Sequence, residues 1–275
     1  MSYIIAATDF SPISLDAVNY AADMAVAIGH DLVIIHSFSL PVMIGDVPIP
    51  ASLIDDTQKD ADEQMEKLVK TVSHARNGIH LRSFVFYGTI LETIEKYTSP
   101  HGAPLVTIMG NTNTQEDTTW IFSTLSDATA NFSLPVLAIP PGTVFKNTPA
   151  ICLALDIEMK ENAAALQKVS EMAVALKAPL HVVNVQKDTF NRDNFADVNE
   201  KTTNVLLAAA PKYHFLYDED VEKAIHKYCT DNNIDMLAVI HGDHSFFYKL
   251  IHRSHTKLLS KTMEIPILML HAGLK

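Results

Sequence analysis

Residues 3–12 read Tyr3-Ile4-Ile5-Ala6-Ala7-Thr8-Asp9-Phe10-Ser11-Pro12, and residues 150–156 read Ala150-Ile151-Cys152-Leu153-Ala154-Leu155-Asp156. Each is an unbroken apolar run closed by an aspartate. An unbroken run, rather than an alternating one, is what a strand buried on both faces requires, and such strands belong to parallel sheets covered by helices. After the first run, Leu15, Val18, Ala21, Ala22 and Ala25 recur at spacings of three and four, the period of a helix with one buried face. Gly29 is placed to close that helix as a C-cap. Leu32-Val33-Ile34-Ile35-His36 reads as a second buried strand. Beyond a Pro-rich loop from Leu40 to Pro50, residues 53–76 predict a long charged helix and Leu81 to Phe86 a third strand. Ile90 to Tyr97 predicts a helix, Pro104 to Met109 a fourth strand, and Pro135 to Ile139 a last one after a polar loop and a short helix. Strands alternating with helices mean right-handed βαβ crossovers on a parallel sheet.

The second half repeats this order. Ala163 to Ala175 matches the first helix and Leu180 to Asn184 the second strand. Tyr213 to Leu216 and the helix Val221 to Tyr228 match the third βα unit. Met236 to Ile240 and Ile265 to Met269 match the last two strands. The offsets agree: Asp156 lies 147 residues after Asp9, and Asn184 148 after His36. His241 after Gly110, Ser254 after Ser123 and Pro266 after Pro135 all lie at 131. The fall comes between strands two and three, where the second half has lost most of the long helix. Pro140-Pro141-Gly142 begins a linker. The expected domains are residues 1–141 and 148–275.

Composition bounds the function. The 275 residues carry 21 Lys+Arg against 32 Asp+Glu, a net −11, and are 48% hydrophobic. That apolar content builds cores and excludes a disordered chain. The acidic excess argues against duplex nucleic acid, whose phosphates need Lys and Arg. Two cysteines, Cys152 and Cys229, are too few for a disulfide framework and fit a reducing compartment. Each reads as a structural thiol, since neither has a partner motif. The opening lacks a basic leader, and no run approaches the length of a membrane span. A cytoplasmic protein contacting neither nucleic acid nor membrane is expected.

At these residues the chain resembles the universal stress protein family, as two tandem copies. Thr8-Asp9-Phe10-Ser11 after an apolar strand is similar to the family's opening, Ile108-Met109-Gly110 to the start of its nucleotide loop, and Pro135-Val136-Leu137 to its closing strand. The resemblance implies an α/β fold. Each repeat would be an open five-stranded parallel sheet with helices on both faces (adenine-nucleotide alpha-hydrolase-like), and the two would pair as an intramolecular pseudo-dimer. It also implies self-contact through the closing strands, Val136-Leu137-Ala138 against Ile267-Leu268-Met269, which are apolar edges that must be covered.

In ATP-binding members the loop reads Gly-x2-Gly-x9-Gly-Ser/Thr, which lets backbone N–H groups approach phosphate. Here Gly110 holds the first glycine position, Asn113 the second and Phe122 the third, with Ser123 keeping the hydroxyl and Thr124 following. In the second half His241, His244 and Arg253 stand at the three positions, leaving Ser254. By resemblance, Ala7, Thr8, Asp9 and Ser37 line the adenosine end of a crevice in the first half. Met109, Gly110, Asn113, Ser123 and Thr124 line the rest. No cofactor is expected with so degenerate a loop, and ATP is the alternative.

The residues also carry plainer readings. Asp9 and Asp156 end strands where ligands of open α/β sheets bind, and each also stands where it could cap the next helix. A single acid without a paired base is not an acid–base machine. His241, His244, His252 and His255 crowd 15 residues, which raises metal binding, yet the spacing matches no standard zinc pattern. With Lys249 and Arg253 the same loop suits a small anionic ligand. No Gly-x-Ser-x-Gly elbow is present. Trp120, Phe122 and Phe132 read as aromatic filling of the cleft. The expected function is a non-catalytic stress-response role through ligand or partner binding. The alternatives are an ATP-binding switch or slow hydrolase in the first repeat, and a metal-binding protein using the second repeat's histidines.

Overall fold

The computed structural model describes residues 2–39, 51–110, 134–155, 163–186, 204–241 and 264–271. Ten strands form one sheet. β1 is Tyr3–Thr8, β2 Asp31–Phe38, β3 Leu81–Tyr87, β4 Val106–Gly110 and β5 Val136–Ile139. β6 is Ile151–Ala154, β7 Leu180–Gln186, β8 Lys212–Tyr217, β9 Met236–His241 and β10 Ile267–His271. The order across the sheet is β3-β2-β1-β4-β5-β10-β9-β6-β7-β8. Every neighbouring pair runs parallel except β5 and β10, which meet antiparallel. Leu137 faces Leu268 there. These are equivalent residues of the two closing strands, so the pseudo-two-fold passes between them.

The helices are α1 (Pro12–Ile28), α2 (Ala51–Ala75), α3 (Ile90–His101), α4 (Ala163–Ala175) and α5 (Val221–Asp231). The apolar runs are buried on both faces because the helices cover both. One core joins Ile4, Ala6, Leu32 and Ile108 to α1, to Met65 and Val72 of α2, and to α4. The other joins Ile5, Ala7, Val33 and Met109 to α3 and α5. Both cores run through β5 and β10 and so continue from one half into the other.

Helix starts follow their capping residues. Ser11 caps α1, accepting the Ser14 N–H with Pro12 in the first turn, and Gly29 closes it in the left-handed conformation at φ 67°. Thr89 and Glu92 make a reciprocal capping box on α3. The C-terminal end of α2 is tied to α1 by Arg76, whose guanidinium grips both oxygens of Asp23. Helix α3 runs on past Tyr97 to His101, carrying Pro100 within its last turn. Between β7 and β8 the described residues hold a short helical stretch at 204–206 and a 3-10 turn, Leu207–Ala209.

The segment between the halves is anchored on both sides. Gly142 N donates to Asp16 of α1 at 2.8 Å, and the Phe145 ring meets Tyr20 edge-on at 5.2 Å. Lys146 pairs with Asp235, whose second oxygen accepts the Ala150 N–H.

Candidate functional site

In each half the strand order reverses beside the opening strand: β1 stands between β2 and β4, and β6 between β7 and β9. The carboxyl ends of these strands form the switch point at which open α/β sheets hold ligands. In the first half this end is built by the turn from β1 into α1.

Thr8 is buried, with its Oγ1 3.0 Å from Ser14 Oγ and accepting the Phe10 N–H at 3.0 Å. Ser14 Oγ also accepts the Asp9 N–H at 3.3 Å and donates to the Ser11 carbonyl at 3.0 Å. Asp9 Oδ1 accepts the Ser11 N–H at 3.0 Å. The helix cap expected of Asp9 therefore falls to Ser11, and Asp9 closes the turn one step earlier. Phe10 takes the left-handed conformation at φ 64°, costly for a bulky residue. Its ring lies 4.4 Å from that of His36. His36 Nδ1 in turn lies 2.8 Å from the Thr8 carbonyl oxygen.

The electrostatics of this end are set by the same contacts. Partial burial pushes the Asp9 carboxyl up, but hydrogen bonds from Ser11 and Ser14 outweigh it and hold the group below its ordinary value. Asp9 is thus an exposed, ionised acceptor at neutral pH. Burial holds His36 below its ordinary value against the Thr8 carbonyl and Asp9, so it is neutral there.

The predicted residues divide between the two faces of the sheet. Alternation along the strands puts Ala7, Ser37 and Met109 on the α3 face, and Thr8 and Gly110 on the α1 face. Ser37 is half-buried, and Ala7 and Met109 are buried. A methyl group built on Gly110 would stand 2.8 Å from the Ile13 carbonyl oxygen and 2.8 Å from Ile13 Cγ2. This glycine is required by the close approach of α1, whatever occupies the crevice. Asn113, Trp120, Phe122, Ser123, Thr124 and Phe132 lie outside the described residues. So do Asp156, His244, Lys249, His252, Arg253, Ser254 and His255, and with them most of the proposed metal and anion loop.

Strand register corrects one landmark. Ile4 pairs with Val106 and its equivalent Ile151 with Met236. Leu137 pairs with Ile108 and its equivalent Leu268 with Ala238. Both place β9 at 130 residues after β4, not 131. The counterpart of Gly110 is therefore the buried Ile240, and His241 comes one residue later. Ile240 carries a side chain where Gly110 carries none, so the strand ends of the two halves differ. The tie between the second strand and the opening strand is kept in both: Asn184 Nδ2 donates to the Leu155 carbonyl at 2.8 Å, where His36 meets Thr8.

Sequence reasoning missed Phe10 and His36 as parts of this site. Their signal was position alone, one residue beyond Asp9 and one before Ser37. Cys152 and Cys229 are both buried free thiols. A hydrogen bond with Cys229, then burial, pushes the Cys152 thiol well up, consistent with a structural role. Among the described residues, no group of three or more metal-ligating side chains is placed to hold an ion, and no helix is long and apolar enough to cross a membrane.

Comparison with known proteins gives the fold its relatives. The chain is similar to a universal stress protein of Archaeoglobus fulgidus DSM 4304, with 16% identity over 98% of this chain and 96% of that one and a TM-score of 0.70. It is also similar to a candidate universal stress protein of Pseudomonas aeruginosa UCBPP-PA14, with 13% identity over 98% and 93% and a TM-score of 0.56. No curated protein sequence matches it. The model of the universal stress protein family matches residues 1–140. The order of strands about each switch point, the antiparallel seam and this match together place the chain in the universal stress protein family.

Proposed function

We propose that this protein is a tandem universal stress protein with repeats 1–141 and 148–275, acting by binding rather than turnover, through the crevice of its first repeat. The observation that carries this reading is Asp9. It is an exposed carboxylate at the carboxyl end of β1, held ionised by the Ser11 and Ser14 contacts, with Oδ1 engaged inside its own turn. Such a group accepts N–H and O–H donors and repels phosphate. With Ala7 and Ser37 near the same carboxyl ends of β1 and β2, it suits the donor-rich nucleoside end of a ligand. The neighbouring imidazole, His36, is neutral, with Nδ1 held by the Thr8 carbonyl and its ring packed on Phe10.

The phosphate end is the weak part. Gly110 is explained by its contact with Ile13, so its presence is no argument for a phosphate cradle. Asn113 and Phe122 replace the next two glycines of the pattern. The second repeat departs further, with Ile240 at the matching position. A stress-response ligand-binding role fits these features, in a cytoplasmic setting with no resident cofactor. Titration of the full chain with adenosine tests the reading. Wild type is expected to bind, and Asp9→Ala to lose at least tenfold in affinity. Equal binding by both, or none by wild type, removes Asp9 from the site.

A further inference from the structure

Among the described residues, the two repeats also differ in what the outer strands place under α3 and α5. On the outer strands of the first half, Val33 and Phe84 pack under Tyr97 of α3, with the Phe84 and Tyr97 rings 5.6 Å apart. Register places His181 at the position of Val33 and His214 at that of Phe84. Tyr228 stands as far into α5 as Tyr97 does into α3. The second half thus puts two imidazoles where the first puts an aliphatic and a phenyl group.

Those imidazoles are stacked, 5.4 Å apart and within 13° of parallel. His181 Nδ1 lies 2.7 Å from the Tyr228 hydroxyl, and the Tyr228 ring lies 5.0 Å from His214. His214 Nε2 is buried with no hydrogen-bond partner. Lys212 faces the pair from β8 and Tyr228 from α5, and Cys229 of α5 and Cys152 of β6 lie beside Tyr228. Val183, Val185, Leu216, Val221 and Ile225 pack on this face as well. The full charge that acts on both imidazoles is that of Lys212, which is positive. Proton uptake here puts like charges on stacked rings beside Lys212 and leaves a buried N–H without an acceptor.

We propose that the His181–His214–Tyr228 cluster is a proton-operated latch, holding α5 on β7 and β8 at neutral pH and releasing it as the pH falls. The directions of titration agree. Burial, then His214 and Lys212, hold His181 below its ordinary value of 6.5. Burial, then Lys212, do the same for His214. A histidine lowered in the closed state binds its proton in the open one. Closure is therefore complete above pH 6.5 and weakens as the pH falls below it. In the first half Val33 and Phe84 stand in place of this pair under α3, and the lowered histidine there, His36, lies on the opposite, α1, face of the sheet.

Amide hydrogen exchange on the full chain tests this, expressed as protection factors corrected for the intrinsic effect of pH. Between pH 7.5 and 5.5, protection in α5 and β8 is expected to fall at least tenfold while α3 and β3 hold. His181→Val with His214→Phe, the residues of the first half, should abolish the fall. Protection that is independent of pH, falls equally in both halves, or still falls in that double variant overturns the proposal. Should the variant not fold, proton NMR of the wild-type histidines decides. Both rings titrating below 6.5 supports the latch, and either titrating at or above 6.5 overturns it.

Discussion

Gly110 lies against the backbone of Ile13, at the meeting of β4 with the first turn of α1. The contact fixes how near the helix start comes to the strand ends and hence the width of the crevice. Gly110→Ala should force the two elements apart, lowering stability by about 1–3 kcal/mol as overpacking does. Urea unfolding of wild type and variant measures it, and an unchanged midpoint would show that the turn yields freely.

The turn that presents Asp9 depends on Ser11. Ser11→Ala removes the side-chain acceptor of the Ser14 N–H, at a cost of about 1 kcal/mol typical of a lost N-cap. It also removes a hydrogen bond that holds the Asp9 carboxyl down. A lowered carboxylate contributes stability that is fully present above its ordinary value of 3.8 and is lost as the pH falls through its folded value. The stability of wild type should therefore fall below about pH 4, and that of Asp9→Asn less steeply. Thermal melts from pH 6 to pH 2.5 compare the two, and parallel curves would remove Asp9 from the acid response.

The paired closing strands should hold the halves together without the linker. A protease site inserted between Gly142 and Asn147, once cut, should leave two fragments that elute as one species. Each fragment alone exposes the edge of β5 or β10 and should associate with itself or aggregate. Fragments that separate as stable monomers would contradict the account of the seam.

Much of this fold was legible because buried parallel strands announce themselves as unbroken apolar runs, and two copies check one another. Ala163–Ala175 was readable to the residue. The register of β9 was not. One residue more separates β9 from β10 than separates β4 from β5, and nothing in the loop marks where it enters. Counting back from Pro266 therefore aligned His241 with Gly110, and only hydrogen-bonded register exposes Ile240 as the match. The turn at Asp9 was half legible. Ser11-Pro12 is a helix-start signal in its own right, but the left-handed Phe10 has no propensity signal. A lone histidine closing an apolar strand, like His36, reads as core until its contact with the Thr8 carbonyl is seen.

On the proposed reading, the first repeat binds through its nucleoside end, without a phosphate cradle. Calorimetry of the full chain with ATP and Mg²⁺, set beside adenosine, separates the two ends. ATP is expected to bind no tighter than adenosine and no tighter than roughly 10 μM, about −7 kcal/mol, and purified protein to carry no nucleotide. ATP that copurifies with the chain, or that binds tenfold or more tightly than adenosine, would contradict it.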